Sequence, residues 1–188
     1  MVMGTELYEI EKKYGEHYFA HTYYVVLAWK LIRRVLLDKK TISEREYKII
    51  NHLVAWHDNS KISELEFKPY ALGLYSQDKD TKEVHDDFKE AINIHKSSNL
   101  HHFESLKNYK GNDWKCYIIE LICDYIAMGW EFKNYLLEYY QANKESIELP
   151  KEYKEYLEYV ISIIKDTCYD EVERPMDCEL EMKLFYKE

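Results

Sequence analysis

At 188 residues with a net charge of −9, the chain is long enough for one compact domain with a sizeable core, and its length gives no reason to divide it. Its hydrophobic share of 46% and charged share of 32% exclude general disorder, and only 5 Gly and 3 Pro leave too few turn residues for an all-β sandwich, so a mostly helical chain is expected. The acidic balance disfavours duplex nucleic acid as a partner, because phosphate backbones need a basic stripe; small phosphorylated molecules stay open, since a bound dication inverts the local field.

In chain order, residues 5 to 37 carry a long helical pattern that starts at residue 5 or nearer Glu16 and ends in Asp38-Lys39-Lys40. Thr41 or Ser43 caps the next helix, which is expected to run to about His57, with Glu44 and Glu46 in its first turn. Asp58-Asn59-Ser60 breaks the pattern, and a shorter helix follows from about Ser63 to Leu74; Pro69 inside it predicts a kink or an early stop. Thr81 opens a helix reaching about Lys96, and a short piece holds His101, His102, Phe103 and Leu106. After the loop Lys110-Gly111-Asn112-Asp113, residues 114 to 129 form the most hydrophobic helix, followed by helices at 131 to 142 and 151 to 166 separated by Pro150. The expectation is an all-α single-domain bundle of about seven helices over residues 1 to 167, with residues 168 to 188 as a peripheral tail or short final helix.

No run of about 18 apolar residues occurs, and the N-terminus lacks a basic segment leading into an apolar one, so neither a membrane span nor a secretory signal is expected. Cys116, Cys123, Cys168 and Cys178 show no CxxC spacing, and a reducing cytoplasm is the expected compartment. Nineteen tyrosines are many for this length; their helical spacing reads as amphipathic packing, with no chemistry assigned to the excess.

The candidate site comes from polar residues in apolar slots. Tyr47, Ile50, Val54 and His57 recur at helical spacing, as do Val84, Phe88, Ala91 and His95; Tyr117, Leu121, Asp124 and Met128; and His21, Val25, Ala28 and Ile32. An unpartnered buried imidazole or carboxylate costs about 1–3 kcal/mol or more, so four helices each offering one to the core are expected to meet around a cation. Imidazole and carboxylate donors suit Mn, Fe, Co, Ni or Zn, and the lack of cysteine argues against structural zinc. His21, His57, Asp58 and Asp124 would form a first site. His95, His101 and His102 are available for a second, with Asp58 placed to bridge. Two ions roughly 3.5–4 Å apart would hold an attacking hydroxide for displacement at phosphorus. The alternative for these residues is a core hydrogen-bond network or a helix cap. His17, one turn before His21, competes with it as ligand. One of His101 and His102 is free to face away, and Glu120 is either an orienting partner for an imidazole or an exposed glutamate. Glu66 and Glu104 are expected to meet water, and His52 and His85 to be surface residues.

His21, the segment His57-Asp58-Asn59-Ser60-Lys61 and Asp124 together resemble the H…HD…D signature of the HD-domain superfamily, all-helical proteins that are mostly metal-dependent phosphohydrolases. His95 and His101-His102 resemble the added ligands of members holding two or more metals. More narrowly, the HDxSK segment with Glu66-Phe67, the stretch Asn99 to Glu104, and Glu120 to Asp124 ahead of Ala127-Met128 resemble an uncharacterised bacterial and phage-type family, over residues 17 to 140. The resemblance implies that Lys61, three residues after Asp58, contacts a substrate phosphate as a flexible point charge. It implies hydrolysis of a small phosphate ester, foremost a nucleotide or cyclic nucleotide, with Asp58 and Lys61 as the catalytic pair. The alternatives are a di-iron oxygenase on the same scaffold and a binding protein whose metal only staples helices.

Overall fold

The computed structural model describes residues 4–173, which contain nine α-helices, one 3-10 helix and no strand. They are α1 (Gly4–Asp38), α2 (Glu44–Ala55), the 3-10 helix (Asn59–Ile62), α3 (Phe67–Tyr75), α4 (Lys82–Ser98), α5 (Phe103–Leu106), α6 (Trp114–Phe132), α7 (Leu136–Asn143), α8 (Lys151–Thr167) and α9 (Tyr169–Glu173). The all-α expectation therefore holds; the helices beyond the expected number are the short ones, α5 and α9.

At the centre is α6, the most apolar helix, buried on nearly every side as an all-round hydrophobic helix must be. It packs against α1, α2 and α8, and their side chains form the main core around Ile122, Leu121, Trp29 and Ile164. A smaller core lies between α1, α3 and α4, built on Ile10, Tyr14, Tyr70, Ala71 and Ala91. The site lies where these two cores face each other, because α1 contributes to both.

Local chemistry explains most boundaries. Ser43 caps α2 in a reciprocal box: Glu46 N–H donates to its hydroxyl at 3.3 Å and its own N–H donates to Glu46 Oε2 at 2.7 Å. That helix ends at Ala55, two residues before the expected end at His57. The helix expected from Ser63 starts at Phe67, after the separate 3-10 helix. Pro69 therefore falls in the first turn of α3, where a missing N–H removes no intrahelical bond, and the predicted kink does not occur. Lys133 adopts a left-handed conformation (φ 56°) that ends α6 at Phe132 and delays α7 to Leu136, five residues after its expected start.

The expected tail also begins inside the body. Val172 of α9 is buried, and Trp130 Nε1 donates to its carbonyl at 2.8 Å. Residues 174–188, including Cys178, lie outside the described residues; the remaining cysteines, Cys116, Cys123 and Cys168, are buried free thiols. Among the described residues, no helix is long and apolar enough to cross a membrane.

Gly73 sets how closely α3 approaches α4. A Cβ there would lie 2.4 Å from Phe88 Cγ, far inside van der Waals contact. Gly73→Ala should therefore destabilise the protein by about 1–3 kcal/mol through overpacking, despite alanine's better helix propensity. Urea unfolding checks this, and a neutral or stabilising result would show that the interface relaxes freely.

Candidate metal centre

Each predicted ligand reaches the centre from a different local context. His21 sits on the buried face of α1 with Val25, Ala28 and Ile32, as its spacing predicted. Asp124 comes from α6 and His95 from the last turn of α4. His57 and Asp58 are adjacent, and on a helix they would point about 100° apart. They occupy a tight turn instead, with Asp58 left-handed at φ 59°, a conformation tolerated by Asp at a cost of about 1–3 kcal/mol. Both side chains are thereby buried in the site. His57 is thus correctly assigned to the core but not as the last member of a helical stripe. Met128, placed in a stripe with Asp124, is 41% exposed and forms a cleft wall instead of core. His101 and His102 sit in the non-helical link before α5, so that neither is forced away.

The geometry converges on Asp58, which is 3% exposed. Its Oδ1 lies 3.0 Å from His95 Nε2, 3.2 Å from His101 Nε2 and 3.5 Å from His57 Nε2. Its Oδ2 lies 2.5 Å from Lys61 Nζ and 3.7 Å from His21 Nε2. Asp124 Oδ1 stands 3.1 Å from His21 Nε2 and 3.6 Å from His57 Nε2. Three overlapping donor groups emerge, each with its ligand atoms within 4.8 Å of one another: His21, His57 and Asp124; Asp58, His95, His101 and His102; and His57, His101 and Glu120. Every predicted ligand is included. His17 is not: its Nε2 contacts Glu131 and its Nδ1 meets the Tyr75 hydroxyl, so of the two competing histidines the structure brings His21 to the cluster.

The imidazoles are oriented from behind by glutamates that sequence reasoning underrated. His57 Nδ1 donates to Glu120 at 3.2 Å, and His95 Nδ1 donates to Glu66 at 2.8 Å. Glu120 also faces His101 Nδ1 at 3.5 Å, and Glu131 faces His21 Nδ1 at 3.4 Å. Glu66 is 2% exposed, correcting the expectation that it meets water; Glu120 is 5% exposed, which decides between its two readings. A helical-face argument could have found two of them, since Glu120 and Glu131 share a face of α6 with Asp124. Glu66 carries no such signal because it precedes its helix. Glu104 pairs at the surface with Lys96, and His52 and His85 are exposed, all as expected.

Because a carboxylate only accepts, Nδ1 is the donor in His57 and His95, which leaves Nε2 as the atom that would turn a lone pair toward a cation once a cation displaces any proton there. The Nε2 atoms of His57, His95, His101 and His102, and Asp58 Oδ1, are buried with no hydrogen-bond partner. Their mutual contacts are close without being hydrogen bonds. Each such atom costs about 1–3 kcal/mol, and so many orphans in one cluster are unusual for a native core. A cation satisfies them together, and the carboxylate behind each imidazole is the arrangement that orients metal-binding histidines. The buried groups can therefore hold a metal ion.

The electrostatics of these side chains fit the same reading. Burial opposes charge on His21 and His57, yet the carboxylates around them overcome it and raise both to about 9. Burial likewise opposes ionisation of Asp58 and Asp124, but the facing imidazoles, joined at Asp58 by Lys61, hold both well below the usual carboxylate range. His102 goes the other way, to about 2, through burial and the neighbouring His101. Asp58 and Asp124 therefore stay ionised within the buried cluster, where their charge attracts a cation.

Of the clefts that border the cluster, one of about 250 Å³ reaches Asp58, His101 and Glu120 beside Trp56 and Asn99, and two more share a wall. One of these two, of about 390 Å³, is lined by His102, Phe103, Asp124, Tyr125 and Tyr139. The other, of about 160 Å³, is lined by Tyr14, His17, His21, Asp58, Lys61 and Tyr70. Met128 and Phe132 line both.

Fold and site together define an all-helical protein with a buried histidine and carboxylate cluster able to hold metal. The chain belongs to a family described as a family of unknown function, DUF5662, whose model matches residues 10–169. No curated protein and no solved structure matches it.

Removing a glutamate from behind the imidazoles tests the ligand assignment. Glu66→Ala and Glu120→Ala should each weaken metal binding by about 10–100-fold, read by titration against a competing chelator. Unchanged affinity in both would remove these residues from the site.

Proposed function

We propose that this protein is a divalent-metal-dependent hydrolase of small phosphate esters, nucleotides or cyclic nucleotides foremost. The observation that carries the reading is the set of inward-facing, unpartnered Nε2 atoms together with a lysine on the same carboxylate at the edge of an open cleft. A metal that merely stapled helices would need no cleft and no adjacent cation. The resemblance to HD-domain phosphohydrolases, carried by His21, His57-Asp58, Lys61 and Asp124, belongs to the same proposal.

His21, His57, Asp58, Asp124, His95, His101 and His102 would hold one or two ions of Mn, Fe, Co, Ni or Zn. Such ions supply Lewis acidity toward a phosphoryl oxygen and make a nucleophile available at neutral pH. The chain's own residues do the rest. Lys61 offsets charge on the transferring group while its contact with Asp58 Oδ2 fixes where the ammonium stands. Glu66 and Glu120 keep the imidazoles aligned, so no reorganisation is needed when substrate arrives. The smaller cleft suits a phosphoryl group; the larger one, walled by Phe103, Tyr125 and Tyr139, suits the organic part of the ester. In the overall reaction a water oxygen bonds to phosphorus, the ester P–O bond breaks, and the leaving alcohol takes a proton.

A second reading, a di-iron oxygenase, is favoured by the imidazole-rich donor set and the apolar wall of the larger cleft. Iron content with an oxygen-dependent optical change would select it, whereas manganese-supported ester hydrolysis under anaerobic conditions would select the hydrolase.

Metal analysis of protein purified without added metal, paired with a phosphate-release screen of nucleotides, tests the proposal directly. No bound metal and no thermal stabilisation by Mn, Fe, Ni or Zn would overturn it. Lys61→Ala should lower turnover by about 100-fold or more while sparing metal content. It should also lower the melting temperature of the metal-free form more than that of the loaded form, because Asp58 loses its ammonium partner only where no cation replaces it. Full activity in the variant would leave Lys61 outside the reaction.

A further inference from the structure

Several tyrosine hydroxyls among the described residues find an acceptor. Tyr140 donates to Glu158 at 2.8 Å, Tyr153 to the Tyr109 carbonyl at 2.9 Å and Tyr156 to the Thr41 carbonyl at 3.2 Å. Tyr14 differs: it is 2% exposed, and its hydroxyl is buried with no hydrogen-bond partner. Such a donor weakens the fold by about 1–3 kcal/mol unless something arrives to accept from it.

Its surroundings say what would arrive. Tyr14 lies on α1 one turn before Tyr18 and two before His21, and these side chains line the 160 Å³ cleft together with Asp58 and Lys61. The ring cannot swing away to find another partner. It stacks on Tyr70 with centroids 5.8 Å apart and planes 15° apart, and Phe67 meets its edge at 5.1 Å. Lys61 Nζ stands 5.3 Å from the centroid of that same Tyr70 ring, so ammonium and phenol are fixed to one support beside Asp58. A rigid neutral donor and a cation on one small cleft match a tetrahedral oxyanion: the cation offsets its charge and the hydroxyl fixes one oxygen.

We propose that Tyr14 is a second phosphate-binding residue, its hydroxyl donating to an oxygen of the phosphoryl group held beside Lys61. The identity of the anion rests on the hydrolase reading above; the presence of an oxyanion subsite rests on the geometry of Tyr14, Tyr70 and Lys61. A donor held ready in a desolvated position needs no rearrangement when the anion enters.

The test is inorganic phosphate binding to the metal-loaded protein by calorimetry, comparing wild type with Tyr14→Phe, which removes the hydroxyl and keeps the ring. The variant should bind phosphate about tenfold more weakly or worse, the loss expected for one donor on a charged acceptor. Its metal stoichiometry should be unchanged and its melting temperature equal or higher, since an unpartnered polar atom has been removed. Phosphate affinity within twofold of wild type would overturn the proposal, as would a melting temperature several degrees lower, which would give the hydroxyl a structural partner. If wild type turns over esters and Tyr14→Phe matches it in both binding and turnover, this inference alone fails. If phosphate binding drops in the variant but no ester is turned over by either protein, the subsite stands and the hydrolase reading fails. Absence of phosphate binding by wild type overturns the subsite.

Discussion

A single carboxylate, Asp58, is removed almost entirely from water and approached by four imidazoles and one ammonium. Burying that charge alone would cost several kcal/mol, so the segments that supply its partners have to be held in register. Helix α1 brings His21, the turn after α2 brings His57 and Lys61, and α4 with the link beyond it brings His95 and His101. The apolar cores serve this arrangement. Packing of α6 against α1 fixes Asp124 opposite His21, and packing of α3 between α1 and α4 keeps Glu66 behind His95. Failure in either core is felt at the site through these contacts.

The polarity of the site runs in layers. Outermost are glutamates that accept from Nδ1, then imidazoles, then the Nε2 atoms and Asp58 Oδ1 turned toward one another without hydrogen bonds. A core network built for stability would close these contacts into donor and acceptor pairs. This one turns Nε2 atoms and a carboxylate oxygen toward a shared space and sets an aspartate in a left-handed turn to do so. Both features lower stability, and sharing a cation would offset both. Metal binding and folding stability should therefore be tightly linked.

The clefts give the cluster an outside. Met128 and Phe132, exposed on the last turns of α6, separate a small, mostly apolar cleft that holds Lys61 and Asp58 from a larger aromatic one at Asp124 and His102. Substrate and metal readings thus meet on one helix, with Asp124 facing inward and Met128, one turn later, facing out.

Spacing in the sequence was enough to send His21, His95 and Asp124 to the core, because each occupies an apolar slot on a long helix and a helix has one period; it left His17 competing with His21. It was likewise enough for the all-helical class, where scarce glycine and proline leave few alternatives. His57 and Asp58 were legible as residues but not as geometry, since a left-handed turn breaks the period that marked them. Glu66 was misread for the same reason: it precedes its helix, and burial of a residue outside a periodic element depends on what packs over it. The Pro69 kink failed because propensity cannot locate a helix start to within a turn. Tyr14 sat within a sequence rich in tyrosine, and nothing in its spacing separated it from tyrosines that simply pack. The sequence by itself determined which side chains are sent to the core, through periodicity. Only the tertiary structure decided which of them meet and which glutamates stand behind the imidazoles, because contacts between residues far apart in the chain are set by packing and not by local pattern. The same packing left one hydroxyl without a partner.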